Sequence, residues 1–217
     1  MGNMKPEFVV WDWNGTLLDD VAASVECINT LLRRRGLTPL SVEAYRDAFD
    51  FPVIRYYERV GFDFDREPFD EVAREYIAEY DRRSPDCILH PGVWDTLCCL
   101  GEKGVHQIVL TASHQQSIED SLDRRGMRCI FQEVVGLQDI YAEGKVKKGL
   151  DWMQQQRAQG LHPDNVLYIG DTTHDLEVAR AMGCRCLLYS GGHHSRERLA
   201  RTGNSLLDDF RRLLTFT

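Results

Sequence analysis

The chain opens on a short apolar run, Phe8-Val9-Val10-Trp11, that stops at Asp12. Apolar residues in an unbroken row, with no alternation, read as a strand buried on both faces in the middle of a parallel sheet. A polar turn containing Gly15 follows, and the pattern then changes period. Residues 19–35 carry Val21, Val25, Ile28 and Leu32 at helical spacing, with Asp19 and Asp20 suited to the first turn and Gly36 to the stop. Ser41 is placed to cap a second helix running to residue 49. Pro52 suits the first position of a third, which Gly61 ends. Residues 67–82 form a fourth helix with Phe69, Val72, Tyr76, Ile77 and Tyr80 along one face. No convincing strand interrupts residues 19–86, so a block of helices is inserted after the first strand.

From His90-Pro91-Gly92 onward, strands and helices alternate. Strands are predicted at residues 105–110, 131–135, 166–169 and 185–189. Helices are predicted at 93–103, 115–125, 146–159 and 173–182, with a terminal one at 205–214. Alternation at this length produces βαβ units and a parallel sheet. The predicted fold class is therefore α/β: a Rossmann-like parallel-sheet core built from residues 1–18 and 88–217, with an all-α helical cap at 19–87.

Composition narrows the function. No apolar run approaches the roughly 18 residues of a membrane span, so no membrane partner is expected. The first residues lack the apolar region of a secretory signal, which predicts a cytoplasmic protein. The net charge of −8 argues against a nucleic-acid binder, while leaving room for a phosphorylated substrate held by a local positive site. The seven cysteines are scattered with no CxxC, and read as reduced core residues. His193-His194, after Gly191-Gly192, read as loop residues and not as metal ligands. A monomer or homodimer is expected.

Three predicted strands end in polar groups: the first in Asp12, the second in Thr111, and a later one in Gly170-Asp171-Thr172-Thr173-His174-Asp175. In a parallel sheet all strand C-termini share one edge, so these groups converge. Lys145, preceding a helix in the same half, reaches that edge. This set suits phosphoryl chemistry. A dianionic phosphoryl group repels an anionic nucleophile such as Asp12 unless its charge is masked. A hard cation, typically Mg2+, held by Asp12, Asp171 and Asp175, provides the mask. Lys145 adds a point charge. The Thr111 hydroxyl and the backbone N–H groups of Gly15, Thr16 and Ala112 cradle the remaining oxygens. Attack by Asp12 yields an aspartyl phosphate that water later hydrolyses.

Asp12-x-x-Gly15-Thr16-Leu17-x-Asp19, Thr111, Lys145 and Gly170-Asp171-x-x-x-Asp175 resemble, in order, the four motifs of the haloacid dehalogenase superfamily hydrolases, in their phosphoglycolate-phosphatase-like branch. That family places a helical C1-type cap between its first and second motifs, where residues 19–87 fall. The resemblance implies a Mg2+-dependent phosphatase acting on a small phosphorylated metabolite, with Asp12 as nucleophile and the residue at 14 binding metal through its main-chain carbonyl. It also implies a departure. Family phosphatases carry, two residues after the nucleophile, an Asp that protonates the leaving oxygen and later activates water. Here that position is Asn14, which keeps the main-chain ligand but transfers no proton.

Alternatives stay open on that residue. They are a slow enzyme, a substrate with a good leaving group, an acid supplied by the cap, a catalytically weak phosphate-ester-binding or regulatory protein, and a 2-haloacid dehalogenase, which needs neither proton nor metal. Phosphonatase-like or mutase-like chemistry belongs to the same range. Asn14-Gly15 is also prone to deamidation, because glycine leaves the attacking N–H unshielded. In the cap, Arg46 and Arg55 are candidates to meet a second anionic group on the substrate, and Trp13 to line the mouth of the site.

Overall fold

The computed structural model describes residues 5–138 and 144–215. β1 (Phe8–Trp11) leads through the short strand β2 (Leu18–Asp19) into α1 (Val21–Arg34), α2 (Val42–Ala48), α3 (Val53–Arg59) and α4 (Phe69–Arg83). β3 (Ile88–Leu89) brings the chain back. It is followed by α5 (Val93–Glu102), β4 (His106–His114), α6 (Gln115–Arg124), β5 (Glu133–Leu137), α7 (Lys145–Ala158), β6 (Val166–Gly170), α8 (Thr173–Met182), β7 (Arg185–Tyr189), α9 (Arg196–Ala200) and β8 (Leu206–Leu207).

Six of these strands form one sheet in the order β5-β4-β1-β6-β7-β8, and every pairing in it is parallel. The chain winds outward from β1 in both directions, so the sheet's switch point lies at the end of β1, where open α/β sheets form their ligand crevice. The apolar run of β1 is explained by burial on both faces. Val9 and Trp11 pack on one side with α5, α6 and the C-terminal segment. Val10 packs on the other with Trp152 and Met153 of α7 and Val178 of α8. Helices α1–α4 build a separate apolar cluster from Ile28, Leu31, Tyr45, Tyr56, Tyr57 and Val72, among others. No described helix is long and apolar enough to cross a membrane.

The structure corrects several of the sequence expectations. The stretch 19–86 is not free of strand, because β2 reaches Asp19 and pairs antiparallel with β3. That two-residue ribbon carries the chain into the helical insertion and out of it, and two residues are too few to show a period. The strand expected at 131–135 begins two residues later, since Phe131 follows a 3-10 turn (Arg128–Ile130) and buries its ring in the core. The terminal helix expected at 205–214 is instead β8 and a 3-10 turn (Phe210–Thr215). Leu206 pairs with Leu188, and the flanking bonds Leu188 N–H to Ser205 O and Ser190 N–H to Leu207 O satisfy the edge of β7. The strand expected to end at Thr111 runs on to His114, past an irregularity after Leu110, where His114 pairs with Leu137. Of the cysteines expected in the core only Cys27 is buried, and Cys98 and Cys129 are exposed. The short helix α9 was not anticipated.

Candidate active site

β1 is in register with Ile169 and Val109 through Trp11, so Asp12 emerges between the middle of β4 and the end of β6, its N–H donating to Ile169 O at 2.9 Å. Lys145, the first residue of α7, reaches the same point. Its ammonium donates to Asp12 Oδ1 at 2.5 Å and to Asp175 Oδ1 at 2.6 Å. The start of α8 aims the other two carboxylates. Thr172 and Asp175 form a reciprocal capping box, in which Asp175 Oδ2 accepts the Thr172 N–H at 2.9 Å and its hydroxyl at 2.7 Å. Asp171, in the turn after β6, accepts the Thr16 hydroxyl on Oδ1 at 2.8 Å and the His193 N–H on Oδ2 at 2.6 Å. The Thr16 hydroxyl also lies 3.1 Å from Asp12 Oδ2. Two glycines make this density possible. A Cβ at Gly15, where φ is +72°, would sit 2.4 Å from Asp171 Oδ2, and one at Gly170 would sit 2.3 Å from Asp175 Cγ.

Asp12, Asp171 and Asp175 are all buried, with one carboxylate oxygen of each within 4.8 Å of the others, and such a cluster could hold a metal ion. Its electrostatics suit one. Burial pushes Asp12 up, and its two carboxylate neighbours add to this, against the pull of Lys145. Burial likewise raises Asp171, to about 6. Burial would raise Asp175 as well, but the Lys145 ammonium outweighs it and holds the group at about 2. Three buried carboxylates facing one ammonium carry uncompensated negative charge, and their oxygen donors fit a hard divalent cation. Asp175 accepts from five donors, whereas Asp12 and Asp171 share the Thr16 hydroxyl and have one further donor each, Lys145 and the His193 N–H. The donors least satisfied by the protein are therefore those of Asp12 and Asp171.

Asn14 is fixed by its side chain. Its Nδ2 donates to Asp20 Oδ2 at 2.9 Å and to the Tyr80 hydroxyl at 2.6 Å, while Oδ1 accepts from Ser113 Oγ at 2.6 Å. All the partners assign the amide in one orientation. The adjacent Gly15 N–H donates to Asp20 Oδ1 at 2.7 Å and to Leu18 O at 3.0 Å, so the nitrogen that deamidation would require is tied down in the folded protein.

The site opens into a cavity of about 480 Å³ between the sheet edge and the helical insertion. Asp12, Trp13, Asn14, Thr111, Ala112, Lys145, Asp171 and Asp175 all line it. Thr111 is buried, and its Oγ1 accepts the Ser113 N–H at 3.1 Å. Trp13 has the Arg125 guanidinium over its ring, 5.9 Å from the centroid. Arg55 does not join the site. Its side chain is 71% exposed and pairs with Glu58, three residues along the same helix. Arg46 is also turned away from substrate: its Nε and Nη2 donate to the carbonyls of Gly192 and Gly191, each at 2.9 Å, fastening α2 to the loop after β7.

Asp20, Tyr80, Ser113 and His193 escaped the sequence reading. Asp20 sits ahead of α1 but makes no capping bond. Its carboxylate turns back into the site, accepting from Asn14, Gly15, Tyr80 and His193, whose Nε2 lies 3.3 Å away. Burial would push Asp20 up, yet the His193 imidazolium and the bonds from Tyr80 and Asn14 hold it below the usual carboxylate range. Burial would push His193 down, but Asp20 and then Asp171 outweigh it and raise the ring to about 9. His193 also bonds Tyr45 of α2 through Nδ1 at 2.9 Å. It is a loop residue as expected, but a buried and ion-paired one. Nothing in Gly-Gly-His-His separates that role from a solvated loop.

A family model described as haloacid dehalogenase-like hydrolase matches residues 9–189, most of the chain. The chain belongs to the haloacid dehalogenase-like hydrolases. It is 25% identical over 216 residues to the phosphoglycolate phosphatase of Pseudomonas putida, covering 96% of this chain and 79% of that protein. The phosphoglycolate phosphatase of Synechococcus elongatus is 26% identical over 195 residues, covering 88% and 87%. A haloacid dehalogenase-like family hydrolase from Streptococcus pneumoniae superposes with a TM-score of 0.81 at 18% identity, covering 100% of this chain and 99% of that one. The chain is thus an enzyme of a hydrolase family whose relatives here are phosphatases, and the six-stranded parallel sheet with flanking helices is the family fold.

Proposed function

We propose that this hydrolase is a Mg2+-dependent phosphatase of a small phosphorylated metabolite, working through an aspartyl phosphate on Asp12. The observation that carries the reading is the placement of the Asp12 carboxylate at the switch point of the sheet, 2.5 Å from the Lys145 ammonium, beside Asp171 and Asp175, and open to the cavity. In this reading Asp12, Asp171 and the Asn14 main-chain carbonyl hold Mg2+, with Asp175 completing the carboxylate set and fixing Lys145. Bound there, Mg2+ supplies the positive charge that masks a phosphoryl dianion. Lys145 and the Thr111 hydroxyl, with the backbone N–H of Ala112, hold the phosphoryl oxygens; contrary to expectation, the Gly15 N–H is taken by Asp20 and Leu18 O, and Thr16 is fully buried off the cavity lining. An Asp12 oxygen attacks phosphorus as the P–O bond to the leaving alcohol breaks. Water then attacks phosphorus, and the bond to Asp12 breaks. Residues 19–87 act as the cap that covers the site.

Asn14 sits where family phosphatases carry the acid–base Asp, so neither step has a positioned proton shuttle at that place. This same residue supports the second reading, a weakly active protein that binds phosphate esters. Hydrolysis of 4-nitrophenyl phosphate, with and without Mg2+, in the native protein and in Asp12→Asn, tests the proposal. 4-Nitrophenolate departs without protonation, so the nucleophile and metal are probed apart from the acid. Turnover that needs both Mg2+ and Asp12 is expected. Absence of turnover in native protein would favour the binding reading.

A further inference from the structure

The cavity is too large and too apolar for a substrate as small and as charged as a phosphorylated short-chain acid. At about 480 Å³ it falls in the range of pockets that enclose drug-sized ligands. Away from the carboxylates its rings and apolar side chains are Trp13, Phe49, Phe51, Tyr76, Ile77 and Tyr80, with His114 and the hydroxyls of Ser113, Ser117 and Ser121 along the core side. Ile77 is 36% exposed, an apolar side chain left open on the cavity wall.

Cations are turned away from this wall. Residues 19–87 contain no lysine, and none of their arginines lines the cavity among the described residues. Arg34, Arg35, Arg82 and Arg83 pair with Glu67, Glu75 and Glu79, Arg55 pairs with Glu58, and Arg46 bonds backbone carbonyls. The lining does include acids, Asp81 and Asp120. From the core side, Arg125 is committed to Ser121 and to the Ser84 and Cys87 carbonyls, leaving Arg124, exposed at the end of α6. A second carboxylate on the substrate would be desolvated against aromatic rings and acids, at a cost no described partner of the insertion offsets.

Asn14 points the same way from independent chemistry. An alkyl ester must leave as a strongly basic alkoxide, and without an acid at residue 14 that departure is slow. A phenolate leaves as a far weaker base. We infer that the substrate is a phosphate monoester of a phenolic or similarly acidic, flat apolar alcohol, bound with its ring in the aromatic cavity. The inference rests on the phosphohydrolase reading and names its substrate class. Asp12 attacks phosphorus, the P–O bond to the aryl group breaks, and the electron pair leaves on the phenolate, which takes its proton from water. Water then attacks the aspartyl phosphate. The P–O bond to Asp12 breaks with its pair returning to the carboxylate, and the water proton passes to solvent. The second step also lacks a positioned base, so it limits turnover.

The test is a leaving-group series under saturating Mg2+: 4-nitrophenyl, phenyl and 1-naphthyl phosphates against 2-phosphoglycolate and glycerol 2-phosphate. Asn14→Asp, Arg124→Ala and Asp12→Asn run beside native protein. Aryl esters are expected to exceed alkyl esters in kcat/KM by on the order of 10²-fold or more, the share a general acid would supply. Asn14→Asp narrows that gap by about 10²-fold or more. Rapid mixing with 4-nitrophenyl phosphate gives a burst of one phenolate per active site, and the 1-naphthyl ester has the lowest KM. Phosphoglycolate turned over as well as phenyl phosphate, above all if Arg124→Ala abolishes it, would overturn the inference. So would a gap that Asn14→Asp leaves unchanged. The 4-nitrophenyl arm separates the two levels. Turnover there, dependent on Asp12, with an alkyl preference defeats only the substrate class. No turnover of that ester in either native protein or Asn14→Asp defeats the phosphohydrolase reading and this inference with it.

Discussion

On the floor of the cavity, at the sheet edge, Asp12, Asp171, Asp175 and Lys145 are packed so tightly that glycines at 15 and 170 have no room for a Cβ. On the opposite wall, the helical insertion presents rings and an isoleucine, and its arginines face carboxylates or backbone carbonyls elsewhere. Both surfaces come from one chain of ordinary charge content, so the separation is one of placement. The floor rests on strand ends and helix N-termini, where backbone N–H groups orient Asp171 and Asp175, and Lys145 and Thr16 orient Asp12. The wall rests largely on helix faces and, Tyr80 apart, on side chains such as Phe49, Phe51 and Ile77 that can be exchanged without breaking a side-chain hydrogen bond. Chemistry is rigid where the backbone sets it, and selectivity lies where only packing is at stake.

Substitutions on the floor are expected to have the largest effects. Asp12→Asn should lower kcat for 4-nitrophenyl phosphate by at least about 10³-fold with little loss of stability, since it also removes a buried charge. Lys145→Met should impair both turnover and stability, because it leaves Asp12 and Asp175 buried without their cation; a loss of about 3–5 kcal/mol in a urea titration is expected. Mg2+ should raise the Tm of native protein, equivalent to about 2.7 kcal/mol at a hundredfold excess over Kd, and Asp171→Asn should abolish most of that rise. A thermal shift unchanged in Asp171→Asn would place the cation elsewhere and break the contrast.

The seam between the two surfaces is expected to be sensitive to pH. His194 accepts the Thr173 N–H at 3.0 Å and bonds Phe49 O at 3.0 Å, joining α8 to the loop after α2. Burial, with Arg198 nearby, pushes it down to about 3 from an ordinary value of 6.5. Between these values the unfolded chain binds a proton that the folded one refuses. Stability is therefore full above pH 6.5 and falls as the pH drops toward 3, by up to about 1.4 kcal/mol per unit. His194→Gln, which does not titrate, should flatten that part of the profile in denaturant titrations. On the insertion, Arg46→Ala should cost about 1 kcal/mol and raise KM by loosening α2 from Gly191 and Gly192. Arg55→Ala should change stability by less than about 0.5 kcal/mol and leave kinetics untouched.

Much of the floor was legible because its residues sit at places the chain marks locally. An apolar run ending in Asp12 and Gly170-Asp171 before a capping pattern each announce a strand end, and parallel sheets gather strand ends; the apolar run before Thr111 stops there although its strand continues to His114. Lys145 was legible as the residue opening α7. The network around Asn14 was not. Asp20 looks like a helix-start acid and turns out to serve the site; Tyr80 reads as one more apolar position on α4; Ser113 and His193 lie in loops with no period. Arg55 misled because its neighbours on α3 are aromatic, while its own helix supplies Glu58 one turn on. The C-terminal strand failed for want of length: Leu206-Leu207 becomes a strand only because the edge of β7 is there to accept it.

By itself the sequence determined the elements whose cause is local. Those are the buried central strand, the alternation that makes a parallel sheet, the inserted helices, and the carboxylates and lysine that the strand order must bring together. Tertiary structure alone decided which charges are spent on one another and which remain for a ligand. Whether an arginine meets a glutamate, a carbonyl or open solvent depends on contacts between segments far apart in the chain, and neither periodicity nor spacing encodes the distance between side chains on different elements.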